Sequence, residues 1–147
     1  MIRRLAALLA LSGAAHAQTY TLPQLMSALQ SVETGGQPNG GEDSRGDGGR
    51  AFGPLQIHRA YHLDAAEIDK KLKDYRRCGK LRYSQRVVRA YMYRYQRPSL
   101  LRLEKGRGTL RDCELISRTH NGGPRANRPE RRRFTHDYWA KVRRVLR

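Results

Sequence analysis

The chain has 147 residues, 30 of them Lys or Arg and 13 Asp or Glu, for a formal net charge of +17. That length supports one domain with a modest core, and no apolar run approaches the roughly 20 residues that cross a bilayer. The charge is that of a protein whose partner is acidic: a nucleic acid, an anionic lipid surface or a bacterial envelope polymer.

Residues 1–17 read as a secretory signal. Arg3-Arg4 is the charged start, Leu5 to Leu11 the apolar stretch, and Ala15-His16-Ala17 a small-x-small cleavage site, with the cut after Ala17. The domain is then residues 18–147, destined for the periplasm or the exterior. Without Arg3 and Arg4, 28 basic residues face 13 acids, a net of +15. Export argues against a specific nucleic-acid partner and leaves an anionic envelope surface. A monomer is expected.

Thr21, with Gln24 three residues on, is a capping-box start, and Gly35-Gly36 a stop. Between them Leu22, Leu25, Met26, Leu29 and Val32 form one apolar stripe at about 100° per residue. Glu33 follows Leu22 by eleven residues, about three turns, so it lies on that stripe. Burial and the negative end of the helix dipole both disfavour a charge there, the environment that a general acid working near neutral pH requires. A glutamate at a frayed end, turned to water, is the plain alternative.

Gly35–Arg50, rich in Gly, Asp, Asn and Ser, is predicted as a loop, with at most a small β element near residues 40–52. Gly53-Pro54 opens a predicted helix through Leu55, Ile57, Ala60, Tyr61 and Leu63, and Asp64–Arg77 is predicted helical as well. Ser84 is expected to cap a helix carrying Val88, Tyr91, Met92 and Tyr95 on one face and stopping at Pro98. Thr109 starts another, ended by Asn121-Gly122-Gly123-Pro124. After the basic loop Arg125–Arg133, Thr135 starts a last helix bearing Tyr138, Trp139, Val142 and Val145. The fold class is therefore mainly α, with five or six helices. Cys78 and Cys113, the only cysteines, are expected to pair as a disulfide in an oxidising compartment. Two cysteines without a His partner make no zinc site, and nothing implies a cofactor.

Five stretches fall in order: Val32-Glu33-Thr34-Gly35; Gly53-Pro54-Leu55-Gln56-Ile57 with Ala60-Tyr61; Ala90-Tyr91-Met92-Tyr93-Arg94-Tyr95; His120-Asn121-Gly122-Gly123-Pro124; and Tyr138-Trp139-Ala140-Lys141-Val142. This succession resembles the lysozyme superfamily, most closely the invertebrate-type (destabilase-like) lysozymes. It departs from the animal members in having two cysteines, in Pro54-Leu55 where an aromatic pair usually follows the glycine, and in a rebuilt loop before Gly53. A bacterial or phage-borne relative fits these departures.

The resemblance implies a lysozyme-like fold around a saccharide cleft. It also implies cleavage of the β-1,4 bond between N-acetylmuramic acid and N-acetylglucosamine in peptidoglycan, a muramidase activity with Glu33 as general acid. Asp47, in Gly46-Asp47-Gly48-Gly49 six residues before Gly53, best matches the position of the family's second carboxylate, and Glu42 and Asp43 are expected to be solvated. Gln56 is a candidate to bond the Glu33 region or a sugar. Asn121 and Gly122 are candidates for an N-acetyl group and close backbone approach, though the same residues suit a helix C-cap. His120 reads as a packed histidine or a substrate contact. Tyr61 reads as a cleft aromatic or as core. Two other readings stay open: a lytic transglycosylase needing Glu33 alone, and a non-catalytic, cationic envelope- or DNA-binding protein on the same scaffold.

Overall fold

The structure is a computed structural model that describes residues 17–147. All of the expected signal sequence but Ala17 lies outside them. Six α-helices and a small sheet follow one another: α1 Leu22–Thr34, β1 Arg45–Gly46, β2 Ala51–Phe52, β3 Ile57–His58, α2 Arg59–Ile68, α3 Leu81–Tyr95, α4 Arg97–Glu104, α5 Leu110–Gly122 and α6 His136–Val145. The mainly α architecture expected from the sequence is the one observed. No described helix is long and apolar enough to cross a membrane.

α1 and α5 form where their local signals place them. Each opens on a complete capping box, Thr21 with Gln24 and Thr109 with Asp112, satisfying N–H groups that have no partner inside the helix. Leu25, Met26 and Leu29 of the α1 stripe are buried in the core with Leu55, Ile57, Val87, Val88, Met92, Leu100, Leu103, Ile116 and Val142. Burial of such side chains contributes about 1.5–3 kcal/mol each. The C-terminal stripe is shorter than expected: Trp139 and Val142 are buried, but Val145 is exposed.

Four other expectations are corrected. Gly53 does not open a helix, because it takes a positive φ of 78° and a Cβ on it would lie 1.8 Å from the Cys78 carbonyl oxygen. The chain turns there instead, and Ile57–His58 pairs antiparallel with Ala51–Phe52 as the third strand of the order β1-β2-β3. Asp64–Arg77 is not one helix, since α2 ends at Ile68 and a short 3-10 turn, Tyr75–Gly79, follows with Leu72 buried between them. α3 starts at Leu81 rather than at a Ser84 cap: the Leu81 N–H is met by the Glu42 carboxylate, 39 residues away. Pro98 stands in the first turn of α4, where its missing N–H has no cost, rather than at a helix stop.

The expected disulfide is also corrected. Cys78 and Cys113 are both free and fully buried. Cys78 belongs to the Tyr75–Gly79 turn, whose backbone packs against Gly53, and Cys113 to the buried face of α5 with Ile116 and Ser117. Burial pushes both thiols up to about 12, with a smaller push from the Asp74 and Asp112 carboxylates respectively. The thiolate, the reactive form, is thereby suppressed.

Charge organises the far side of α5. Glu114 is largely buried, and its carboxylate accepts from Arg111, Arg118 and Arg132. Arg118 is itself buried and donates on to the Arg132 carbonyl and Thr135 Oγ1, fixing the start of α6. Burial alone would raise the Glu114 carboxyl; the three guanidinium bonds overcome it and hold the group down at about 2.

A folded-state value below the unfolded one means that the contribution of Glu114 is complete above about 4.5 and is lost as pH falls toward about 2. Glu114→Gln should therefore lower stability at pH 7 by about 3 kcal/mol and flatten acid unfolding across that window, as followed by urea denaturation at several pH values. For the thiols, a colorimetric disulfide reagent should label neither cysteine in the native protein and both after denaturation, and a reductant should leave Tm unchanged.

Candidate active site

Glu33, the penultimate residue of α1, turns its carboxylate toward α5 and α6 and is 18% exposed. The Tyr138 hydroxyl, on α6, donates to its Oε1 at 2.8 Å. His120 Nε2, on α5, lies 3.4 Å from the same oxygen. On its other side His120 Nδ1 is 3.1 Å from the Tyr61 hydroxyl of α2. The Tyr61 ring stacks on Tyr91 of α3 with centroids 3.6 Å apart and planes 13° apart. One line of contacts thus runs from α3 through α2 and α5 to the carboxylate, and a second arrives from α6. Burial, then Tyr91 and Glu33, pushes the Tyr61 phenol well above its usual range, and burial, then Glu33, does the same to Tyr138. Both remain neutral hydroxyl donors at any physiological pH.

Thr34, next to Glu33, holds α1 to the sheet. It is buried, and its Oγ1 donates to the Pro54 carbonyl at 2.9 Å. A Cβ on Gly41 would collide with Thr34 at 2.3 Å, so the loop needs glycine at its closest approach. The helix end that carries Glu33 is therefore fixed to the β2–β3 turn on one side and to α5 and α6 on the other.

The other candidates fall in different places. Asp47 sits on the turn between β1 and β2 with φ of 49°, half-exposed, its Oδ1 accepting from Arg50 at 2.9 Å and its Oδ2 3.5 Å from His58 Nε2. It makes no hydrogen bond or ion pair with Glu33 among the described residues. Gln56 is in the β2–β3 turn, not on a helix, with φ of 47°. Its amide donates to the Gly53 carbonyl and to Ser44 Oγ, so it braces that turn rather than contacting Glu33. Of Glu42 and Asp43, both expected to be solvated, Asp43 is exposed and Glu42 partly so, and both accept from Lys80.

Tyr61 and His120 come together with Glu33, but as packed side chains joined to each other. Asn121 is exposed at the end of α5. Gly122 is needed for packing: a Cβ there would lie 2.6 Å from Thr135 Cγ2 and 2.9 Å from Ala126 Cβ. Two residues of the site do not stand out in the sequence. Tyr138 falls on the apolar face of α6, yet a buried phenol requires a hydrogen-bond partner, and that requirement is the available signal. Thr34 carried no comparable signal.

A model described as Destabilase matches residues 31–145, from the end of α1 through the last residue of α6. The chain belongs to the destabilase family. Among its relatives, Lysozyme 1 of Crassostrea virginica is 36% identical over 121 residues, 81% of this chain and 56% of that protein. The chain thus spans little more than half the length of that curated relative. The crystal structure of Tapes japonica lysozyme superposes with a TM-score of 0.60 at 27% identity, covering 88% of this chain and 94% of that one. The destabilase-family core thus accounts for nearly all of the described helices and the three-stranded sheet.

Proposed function

We propose that this destabilase-family protein is a peptidoglycan hydrolase of the muramidase type, exported to the periplasm or beyond. The observation that carries the reading is the setting of Glu33: a carboxyl group at a helix C-terminus, mostly withdrawn from water, in a chain whose relatives are lysozymes. In the reaction Glu33 protonates the glycosidic oxygen as the muramyl C1–O bond breaks and the sugar acquires oxocarbenium character. The electron pair of that bond leaves with the oxygen, and Glu33 becomes a carboxylate.

Asp47 is the second carboxylate of this reading, stabilising or capturing the cation before water completes hydrolysis. A carboxyl separation of about 5–5.5 Å corresponds to retention and one of about 6.5–9.5 Å to inversion. One observation favours a second reading. Asp47 is engaged by Arg50 and lies opposite His58, and an Asp47 left idle would let the muramyl 6-hydroxyl attack C1, as in a lytic transglycosylase.

The basic charge serves the substrate as well. Arg125, Arg128, Arg131, Arg133, Lys141, Arg143, Arg144 and Arg147 crowd the last quarter of the chain. Of the nearby acids, Glu130 and Asp137 form no ion pair with them among the described residues. This surface concentrates the protein on an anionic envelope, with attraction screened over about 8 Å at physiological ionic strength.

Digestion of purified peptidoglycan with mass spectrometry of the released muropeptides tests the reading. Wild-type protein should release fragments with reducing ends, Glu33→Gln should lower the rate at least about 100-fold, and Asp47→Asn at least about tenfold. Products with 1,6-anhydro ends and an unimpaired Asp47→Asn would replace hydrolysis by transglycosylation. Equal clearing by Glu33→Gln would remove the acid assignment altogether.

A further inference from the structure

Both groups that meet the Glu33 carboxylate approach the same oxygen. Tyr138 donates to Oε1 at 2.8 Å, and His120 Nε2 faces Oε1 at 3.4 Å. A carboxylic acid carries its proton on one oxygen only, and an oxygen already accepting a hydrogen bond at 2.8 Å from a phenol is the poorer place for it. The protein has therefore distinguished the two oxygens of its acid. We propose that Tyr61, His120 and Tyr138 are positioning residues that keep Oε1 of Glu33 as an acceptor, so that the transferable proton resides on Oε2. The proposal rests on Glu33 being the general acid.

The role of His120 depends on its tautomer, and Tyr61 sets it. A neutral imidazole has one N–H and one lone pair. The Tyr61 phenol is desolvated between Tyr91 and His120, and its hydroxyl lies 3.1 Å from Nδ1; in this proposal the hydroxyl is the donor. Nδ1 is then the lone-pair nitrogen and Nε2 carries the hydrogen, directed at Oε1. At 3.4 Å this contact is long for a hydrogen bond, so the N–H acts on Oε1 mainly as a dipole. With the opposite tautomer, Nε2 would offer a lone pair to Glu33 and draw the acid's proton onto Oε1, away from the substrate.

The arrangement also acts on the transition state. As Glu33 gives up its proton, negative charge grows on the carboxyl group, and donors already aimed at Oε1 stabilise it without reorganisation. The titratable groups facing Glu33 are His120 from α5 and Tyr138 from α6, with Tyr61 of α2 behind His120 and Tyr91 of α3 behind Tyr61. Loss of the donors to Oε1 removes stabilisation of the charge that grows on the carboxyl group, so it should slow the chemical step and extend activity to higher pH.

Tyr138→Phe and Tyr61→Phe each remove one hydroxyl and keep the ring. With a soluble chito-oligosaccharide as substrate, each should lower kcat about tenfold or more and leave KM unchanged. Each should also move the alkaline limb of the pH profile upward, by about one unit for Tyr138→Phe. A loss of kcat with an unmoved limb would mean that the tyrosines only hold the fold, and unchanged kcat would mean that Oε1 needs no donors. Nitrogen-15 NMR of the full wild-type chain at about pH 8, above the usual imidazole range, reads the tautomer independently of activity. Nε2–H on His120 is expected, and Nδ1–H would overturn the proposal. Should the wild-type chain cleave no saccharide, the activity reading fails, and the tautomer measurement still decides whether His120 is held as described.

Discussion

The hydrogen bond from Tyr138 to Glu33 joins residues 105 positions apart and brings α6 onto the end of α1. A carboxyl group on the buried side of a helix, at its negative end, is unfavourable unless something meets it. Here α5 and α6 both supply a group, and Thr34 ties the same helix end to the Pro54 carbonyl. The position of Glu33 is thus set by three separate packing contacts, and the acid role proposed for it draws on that confinement. A general acid free to rotate into water would be badly aimed.

The surrounding electrostatics divide into two kinds. Several acids that face a basic neighbour within the fold are spent on structure. Glu114 gathers Arg111, Arg118 and Arg132, buried Asp112 takes Arg102, and Glu42 and Asp43 share Lys80. The Asp112 carboxyl is pushed up by its burial, but bonds from Arg102, Thr109 and Ser99 outweigh this and hold it far below the usual range. With those acids occupied, the cations after residue 123 other than Arg132 are left to face outward. The same helix that presents Tyr138 to Glu33 carries Arg143 and Arg144 in its last turn. In the proposed function, catalytic positioning and surface attraction therefore share one element.

What the sequence disclosed, and what it withheld, follows from the range of the interactions involved. α1 and α5 were legible because caps three residues apart and a stripe at helical spacing settle them locally. The start of α3 was not, because its cap comes from Glu42 in a distant loop. β3 carries no strand signal in the sequence, because two residues show no alternation, and only the fit of Gly53 against Cys78 forces the turn. Compartment alone argues for pairing the cysteines, whereas a bond depends on where two distant segments place their sulfurs. At the site, Glu33 stood out because its charge contradicted the face it occupied. Tyr138 agreed with its own apolar face and so gave no such contradiction, and Gln56 looked like a helix residue that was in fact bracing a turn.

The central claim is that Glu33 is a general acid with its proton on Oε2 and both neighbouring donors turned to Oε1. Neutron diffraction from a deuterium-exchanged crystal held at about pH 3, below the ordinary glutamate range, would locate those hydrogens directly. Deuterium on Oε2, on the Tyr138 hydroxyl pointing at Oε1 and on His120 Nε2 is the predicted result. Deuterium on Oε1, or a Tyr138 hydroxyl turned away from the carboxylate, would contradict it.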